Sequence, residues 1–295
     1  NMKNRFILLF GFCFLLLCIN SCKQKKNHPD KTDSDQQTEL TDTAISIKGI
    51  DTLSFALYEN EKKYHINNDT TMPACTFSID MIYPDNYPNN IKLKQIQKYF
   101  VKSIFGEEYE SFAPKLAAEK YMQNYIDTYK KDMSQYSHSK KDIGVWMNYE
   151  LSVGSRSLYN NHDIWSYELS TYMFTGGAHG IYTTTYQTFD LQKGKSLLLN
   201  DLISEKNRAT IDELLRKQLA IDLKLTNINE LSKKDYSPEN IVATDNFYAG
   251  KNGITWLYNP YDIAPYYLGQ TRITLPYSVL RPYLLPECPV KRIFE

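Results

Sequence analysis

The hydrophobic period changes twice along this chain, and that change restricts the fold more than any single motif. Cys75-Thr76-Phe77-Ser78-Ile79-Asp80-Met81 alternates apolar and polar residues and stops at Pro84, the pattern of a half-buried strand. Weaker strand-like stretches precede it at Leu53 to Leu57 and Lys63 to Ile66. The spacing then lengthens. Ile91, Ile96, Tyr99, Phe100 and Ile104 fit one helical face, which Gly106 closes. A second helix is expected from about Pro114 to Tyr136, with Leu116, Tyr121, Tyr125, Ile126 and Tyr129 pointing inward. Period two returns around Trp146 to Val153, Trp165 to Leu169 and Tyr182 to Tyr186, read as adjacent antiparallel strands. Two helices on one face of such a sheet make an α+β domain, placed at 44–187.

A second α+β domain is expected at 188–285, with a tail at 286–295. Phe189-Asp190-Leu191 reads as its first strand and Lys193-Gly194 as a turn. A helix should run from Glu205 to Leu219, with Ile211, Leu214, Leu215 and Leu219 inward. Phe247 to Ala249 and Ile254 to Tyr258 make a hairpin around Lys251-Asn252-Gly253, and Arg272 to Leu275 is the last strand. The fold class is therefore α+β, two antiparallel-sheet domains each packed against helices.

The N-terminal end carries a different signal. Phe6 to Ile19 is an apolar run behind Lys3 and Arg5, too short to span a bilayer comfortably. Ile19-Asn20-Ser21-Cys22 closes it with a small residue directly before a cysteine, the pattern of a bacterial lipoprotein signal at 1–21 with Cys22 lipidated. Acyl chains on Cys22 would hold the protein stably at a membrane surface. Residues 22–43 are polar, lack aromatic residues and read as a flexible tether. The chain has 34 basic and 34 acidic residues, so bulk charge steers it neither to nucleic acid nor to anionic lipid. With Cys13 and Cys18 in the signal and Cys22 acylated, Cys75 and Cys288 remain. In an exported protein they are read either as a disulfide tying the C-terminal tail to the first domain or as two separate buried thiols.

The segments "FDLQKGKSLLLNDLI", "FYAGKNGITWLYNPYDIAPYYLG" and "ITLPYSVLRPYL" resemble the domain of unknown function numbered 3298. The stretch from the strand at Cys75 to "TGGAHG" is similar to its usual partner, the domain numbered 4163 found in PdaC-type and RsiV-type proteins. The resemblance implies a C-terminal fold like a subdomain of the Hsp70 ATPase. It also implies an extracellular module of the sort found in lysozyme-sensing anti-sigma factors, in some peptidoglycan deacetylases, and alone in lipoproteins of Bacteroidetes-like bacteria. The last type is the expected one here, without sigma-binding or deacetylase parts. Lys23, Lys25 and Lys26 occupy the place where surface-exported lipoproteins carry acids, so the expected location is the outer membrane, facing the periplasm.

The residues with chemistry are few. Gly176-Gly177-Ala178-His179-Gly180 offers flexible backbone amides and an imidazole, but no Ser, Cys or carboxylate in a known order completes a triad. His162-Asp163 lacks a third metal ligand, and Asp190, Asp201 and Asp262 each sit beside a turn or helix start, where Asp has a capping role. No metal, cofactor or catalytic set is expected. The stretch from Tyr258 to Tyr267 has two prolines and four tyrosines, and Tyr258, Tyr261, Tyr266 and Tyr267 join His179 as candidate ligand contacts. The expected function is a non-catalytic envelope lipoprotein that binds an envelope glycan or an extracellular protein such as lysozyme. The alternatives are an envelope hydrolase or peptidoglycan-modifying enzyme, and a structural subunit marked by a large exposed apolar patch.

Overall fold

The alternating runs become long strands, and the three-and-four runs become the helices laid against them. A computed structural model of the protein describes residues 53–136 and 143–295. The signal, Cys22, the tether and Ile45, Ile47 and Ile50, whose strand-like spacing opens the expected first domain, lie outside the described residues. β1 (Ser54–His65) and β2 (Ala74–Asn86) form an antiparallel pair. The two weak strands expected around Leu53 and Lys63 are thus one. β1 is an edge strand, and its charged outward residues Glu59, Glu61 and Lys63 guard it against pairing with another chain while masking its hydrophobic pattern.

Two helices follow. α1 (Asn90–Phe105) starts where Asn89 Oδ1 accepts the N–H groups of Ile91 and Lys92, each at 3.0 Å, and ends at Gly106 with φ +99°. α2 (Pro114–Ser134) opens on a proline, which needs no donor there. Their inner faces, including Ile96, Phe100, Met122 and Ile126, cover Phe77, Ile79, Met81 and Val153 of the sheet. Ile91 and Leu116, expected inward, are exposed, because each lies in the first turn of its helix.

The chain returns as β3 (Tyr149–Asn161), β4 (Ile164–Thr175), β5 (Ile181–Asp190) and β6 (Lys195–Ser196), completing a six-stranded sheet in sequence order. β3, β4 and β5 are antiparallel neighbours as expected, and the departure lies at β2. The sheet is mixed, since β2 and β3 run parallel, Cys75 opposite Tyr149 and Met81 opposite Ser155. The α1–α2 segment is the crossover a parallel pair requires, and side-chain alternation carries no information about strand direction. Phe189 and Asp190, expected to open a new unit, end β5 inside this sheet.

The C-terminal elements are α3 (Leu199–Leu202), α4 (Arg208–Asp222), β7 (Phe247–Ala249), β8 (Gly253–Tyr258), β9 (Thr271–Pro276) and α5 (Tyr277–Leu280). β7, β8 and β9 form a three-stranded antiparallel sheet, over which α4 places Ile211, Leu215 and Leu219 against a core with Trp256 and Ile273.

All the described residues fall within one compact unit, and side-chain amides join its two sheets. Along the side of β5 away from β4, Asn259 Oδ1 accepts the N–H of Thr184 at 2.8 Å while Asn259 Nδ2 donates to the Thr184 carbonyl at 3.0 Å. Asn246 Oδ1 accepts the N–H of Tyr186 at 2.7 Å, and its Nδ2 donates to the same Thr184 carbonyl at 3.2 Å. Carboxamides offer the donor and acceptor of a peptide group, so they stand in for a neighbouring strand. Beneath them Ser166 Oγ donates to the Ala249 carbonyl at 2.7 Å, and Ala249 N–H donates to Thr188 Oγ1 at 3.0 Å.

The two cysteines are free. Cys75 lies in the core under α2 and Cys288 in the core under α4, so the disulfide reading is corrected to two separate buried thiols. Burial pushes the Cys75 thiol up to about 12 and the Cys288 thiol to about 11. Iodoacetamide at pH 8 should therefore leave both unmodified in the folded protein and alkylate both after unfolding in urea, as mass spectrometry will read. In a second test, Asn259→Ala strips the Thr184 N–H of its partner and should lower unfolding stability by about 1–3 kcal/mol in urea titration.

Candidate functional site

Two loops meet at one end of the β4–β5 pair. The first, residues 176–180, turns β4 into β5. Gly176 and Gly180 are required by close contact. A Cβ on Gly176 would stand 1.8 Å from the Trp146 carbonyl oxygen, and φ there is +86°. At Gly180 a Cβ would lie 2.2 Å from the Tyr172 ring. The second loop follows β8. Asn259 N–H donates to Asp262 Oδ2 at 2.7 Å, and Tyr261 takes φ +74° with its N–H on the Ala264 carbonyl at 3.0 Å. Pro260 and Pro265 stiffen the turn between these bonds.

The loops are joined through Tyr266, whose hydroxyl donates to the Gly180 carbonyl at 3.0 Å. That bond brings three predicted residues into one stack. The His179 ring lies 4.6 Å from Tyr266 at 30°, and Tyr261 lies 5.6 Å from Tyr266 on a similar tilt of 33°. His179 Nδ1 is 3.1 Å from the Gly180 carbonyl, a distance that suits an Nδ1–H donor. Tyr261 is 66 % exposed, so the stack ends in solvent. On the other side of Gly180, the Tyr172 ring packs on Tyr182 with centroids 4.5 Å apart. Tyr172 and Tyr182 extend the aromatic surface onto the sheet and were not singled out as ligand contacts. Their signal was present, since Ser170-Thr171-Tyr172 and Tyr182-Thr183-Thr184 alternate and their registry places both rings on one face.

The remaining predicted contacts separate. Tyr258 is a core residue, 2 % exposed, whose hydroxyl donates to the Val242 carbonyl at 2.8 Å, and burial raises its pKa. This corrects its assignment as a ligand contact: it belongs to β8, where every residue from Gly253 to Tyr258 is buried. Tyr267 is exposed and hydrogen-bonds Asp235, which raises the pKa of its phenol. It makes no ring contact with the stack among those described.

The polar pairs considered for chemistry hold turns. His162 and Asp163, at φ +53° and +55°, are the two-residue bend between β3 and β4, a shape that matches the twist of a hairpin. Asp190 Oδ1 accepts from the N–H of Gln192 at 3.0 Å and from Arg292 Nη2 at 2.7 Å, while Asp201 Oδ2 accepts from the N–H of Leu198 at 2.9 Å. Among the described residues no group of three His, Cys, Asp or Glu side chains could hold a metal ion. A larger cavity of about 480 Å³ lies elsewhere, where the ends of β1 and β2 part from β3; its lining is mostly apolar, with Leu53, Phe55, Leu57 and Ile82.

Tyr258 and Tyr261 give opposite expectations. Tyr258→Phe leaves the Val242 carbonyl without its donor and should cost about 1 kcal/mol in thermal unfolding. Tyr261→Ala, at an exposed tip, should change stability by no more than about 0.5 kcal/mol.

Comparison with known proteins gives two matches to family models. Residues 200–278 match the model described as a protein of unknown function (DUF3298), and residues 66–182 match the model described as deacetylase PdaC. No curated protein matches. Among solved structures, a member of the DUF3298 family from Bacteroides fragilis NCTC 9343 is 30 % identical, with 84 % of this chain and 99 % of that chain covered and a TM-score of 0.79. A DUF3298 family protein from Pseudomonas aeruginosa PAO1 is 20 % identical over 81 % of this chain and 97 % of that chain, with a TM-score of 0.56, and speaks to the fold alone. With 30 % identity across nearly the whole of the Bacteroides relative and a match of its own at 200–278, the chain belongs to the DUF3298 family.

Proposed function

We propose that the protein is a cell-envelope lipoprotein, anchored through Cys22 and facing the periplasm, that binds an envelope glycan on its exposed aromatic surface. The observation that carries the reading is the stack of His179, Tyr266 and Tyr261, fixed by the bond from the Tyr266 hydroxyl to the Gly180 carbonyl and open to solvent at Tyr261. Tyrosine rings present an apolar face with a polar edge and lose little side-chain freedom on docking. A sugar ring has the same division between C–H faces and a hydroxyl rim. The anchor is supported by the apolar run that ends at Cys22 and by the polar tract behind it.

A second reading has one observation in its favour. Residues 66–182 match a family model described as a deacetylase, which supports a peptidoglycan-modifying enzyme. The two readings differ in outcome. The full chain should pellet with purified peptidoglycan sacculi, release no acetate from them, and lose at least tenfold in affinity as Tyr261→Ala/Tyr266→Phe. Capture by immobilised lysozyme with no pelleting on sacculi would replace the glycan with a protein partner, and acetate release would favour the enzyme. Labelled palmitate should enter the wild-type chain in cells and not Cys22→Ala.

A further inference from the structure

We propose that the part of the six-stranded sheet's second face left open by the C-terminal sheet holds a subsite for an amino-sugar oligomer, with Tyr182 as the platform for one ring and Asp80, three strands away, as the acceptor of a neighbouring ring's ammonium group. The proposal rests on the glycan-binding reading and names the sugar chemistry. Phe77, Ile79 and Met81 point from β2 to the helices, so Ser78 and Asp80 point to the opposite face. Strand registry lays two rows across that face. One runs Glu61, Ser78, Ser152, Tyr172, Tyr182, and the next runs Glu59, Asp80, Gly154, Ser170, Thr184.

The middle of these rows is low. Ser78, Ser152, Gly154 and Ser170 floor a trough of about 320 Å³, walled by the Tyr172–Tyr182 pair. That volume falls in the range of small-ligand sites, about 300–1,000 Å³. Gly154 keeps it open, because a Cβ there would stand 2.9 Å from Ser170 Oγ. Tyr182 is 54 % exposed, and its ring is backed by Tyr172, so a flat ligand can stack on it without reorganising the sheet.

The polar groups set the ligand's chemistry. Ser78 and Ser152 share a hydrogen bond of 2.7 Å, which leaves lone pairs and one hydroxyl hydrogen for a ligand, and Ser170 adds another hydroxyl. Hydroxyls on adjacent strands match a ring bearing hydroxyls on successive carbons. A lysine side chain would leave them facing methylenes. Asp80 is exposed and forms no ion pair among the described residues, and Glu59 and Glu61 share its face. Lys63 lies at the end of the same face and Arg156 is paired with Glu168, so Glu59, Glu61 and Asp80 leave the face net negative, which repels uronic acids and attracts an ammonium. Tyr172 lies against Gly180, whose carbonyl accepts from Tyr266, so the His179, Tyr266 and Tyr261 group stands near the Tyr172 end of the trough.

Calorimetric titration of the full chain tests this with de-N-acetylated chitosan oligomers, N-acetylated chitin oligomers of equal length, polygalacturonate and poly-lysine. Chitosan oligomers should bind at least about tenfold more tightly than chitin oligomers, less so as salt rises, and polygalacturonate should not bind. Asp80→Asn should abolish the preference for the free amine, and Tyr182→Ala should weaken both oligomers about tenfold. Both residues are exposed, so Asp80→Asn should unfold at the wild-type temperature and Tyr182→Ala, which loses its packing on Tyr172, no more than a few degrees lower. Equal binding of the two oligomers, or chitosan binding untouched by either substitution, overturns the subsite. So does poly-lysine binding that these same variants lose, which would point to a basic protein. If the wild type pellets with sacculi while the variants behave identically to it, only the subsite falls; if the wild type does not pellet, the glycan reading falls with it.

Discussion

The pairing of β5 with two asparagine side chains is the constraint on which the rest of the molecule depends. β6 covers β5 only at Phe189 and Asp190, so the rest of the outward N–H and C=O groups of β5 must be satisfied otherwise, because a buried unpaired peptide group costs about as much as a lost hydrogen bond. Here no strand of the second sheet takes that place. Asn246 and Asn259 supply the missing donors and acceptors to Thr184 and Tyr186, and Gln270 braces Asn259 and Thr184 with Nε2 contacts of 3.1 and 2.7 Å. Asn259 also begins the loop that carries Tyr261 and Tyr266. The same amide that joins the sheets therefore sets the height of the aromatic stack above β4 and β5.

A charged contact closes the other end of that strand. Asp190 is fully buried at the end of β5 and meets Arg292 of the C-terminal segment at 2.7 Å. A buried carboxylate is tolerated only with such partners, and removing one leaves the other desolvated and alone. β5 is thus held along its length by polar side chains from residues far later in the chain, while its opposite side is an ordinary antiparallel ladder with β4. The arrangement makes a mixed sheet and a small antiparallel sheet behave as parts of one unit.

The tyrosines divide between two kinds of work. Tyr167 stacks on Trp165 with centroids 4.1 Å apart, and Tyr129 donates to the Met147 carbonyl at 2.8 Å; both are interior groups whose bulk fills the first core. Tyr182 and Tyr261 are largely exposed, and Tyr172 and Tyr266 support them. Abundance alone could not separate these classes. Tyr258 illustrates why: it stands in the same tyrosine-rich stretch as Tyr261, three residues away, yet the strand β8 carries it into the core while the proline-bounded loop carries Tyr261 out.

Local periodicity by itself determined the α+β character, the two long helices and the hairpin at Phe247 to Tyr258, because each depends on contacts between residues near in sequence. The turn at Gly176 to Gly180 was legible too, because clustered glycines between two alternating runs accept positive φ, while the close approach of the Trp146 carbonyl and the Tyr172 ring emerged only from the fold. The parallel β2–β3 pair was not legible, because alternation is the same for either strand direction. The cysteines were left open by composition, and only the placement of Cys75 and Cys288 in different cores decided for two thiols. His179, Tyr261 and Tyr266 were legible as candidates one by one, but their assembly into one group, and the separate Tyr172–Tyr182 pair on the neighbouring strands, belong to tertiary structure. Those rings come from segments some eighty residues apart, which the carboxamide bonds to β5 and the bond from the Tyr266 hydroxyl to the Gly180 carbonyl bring together.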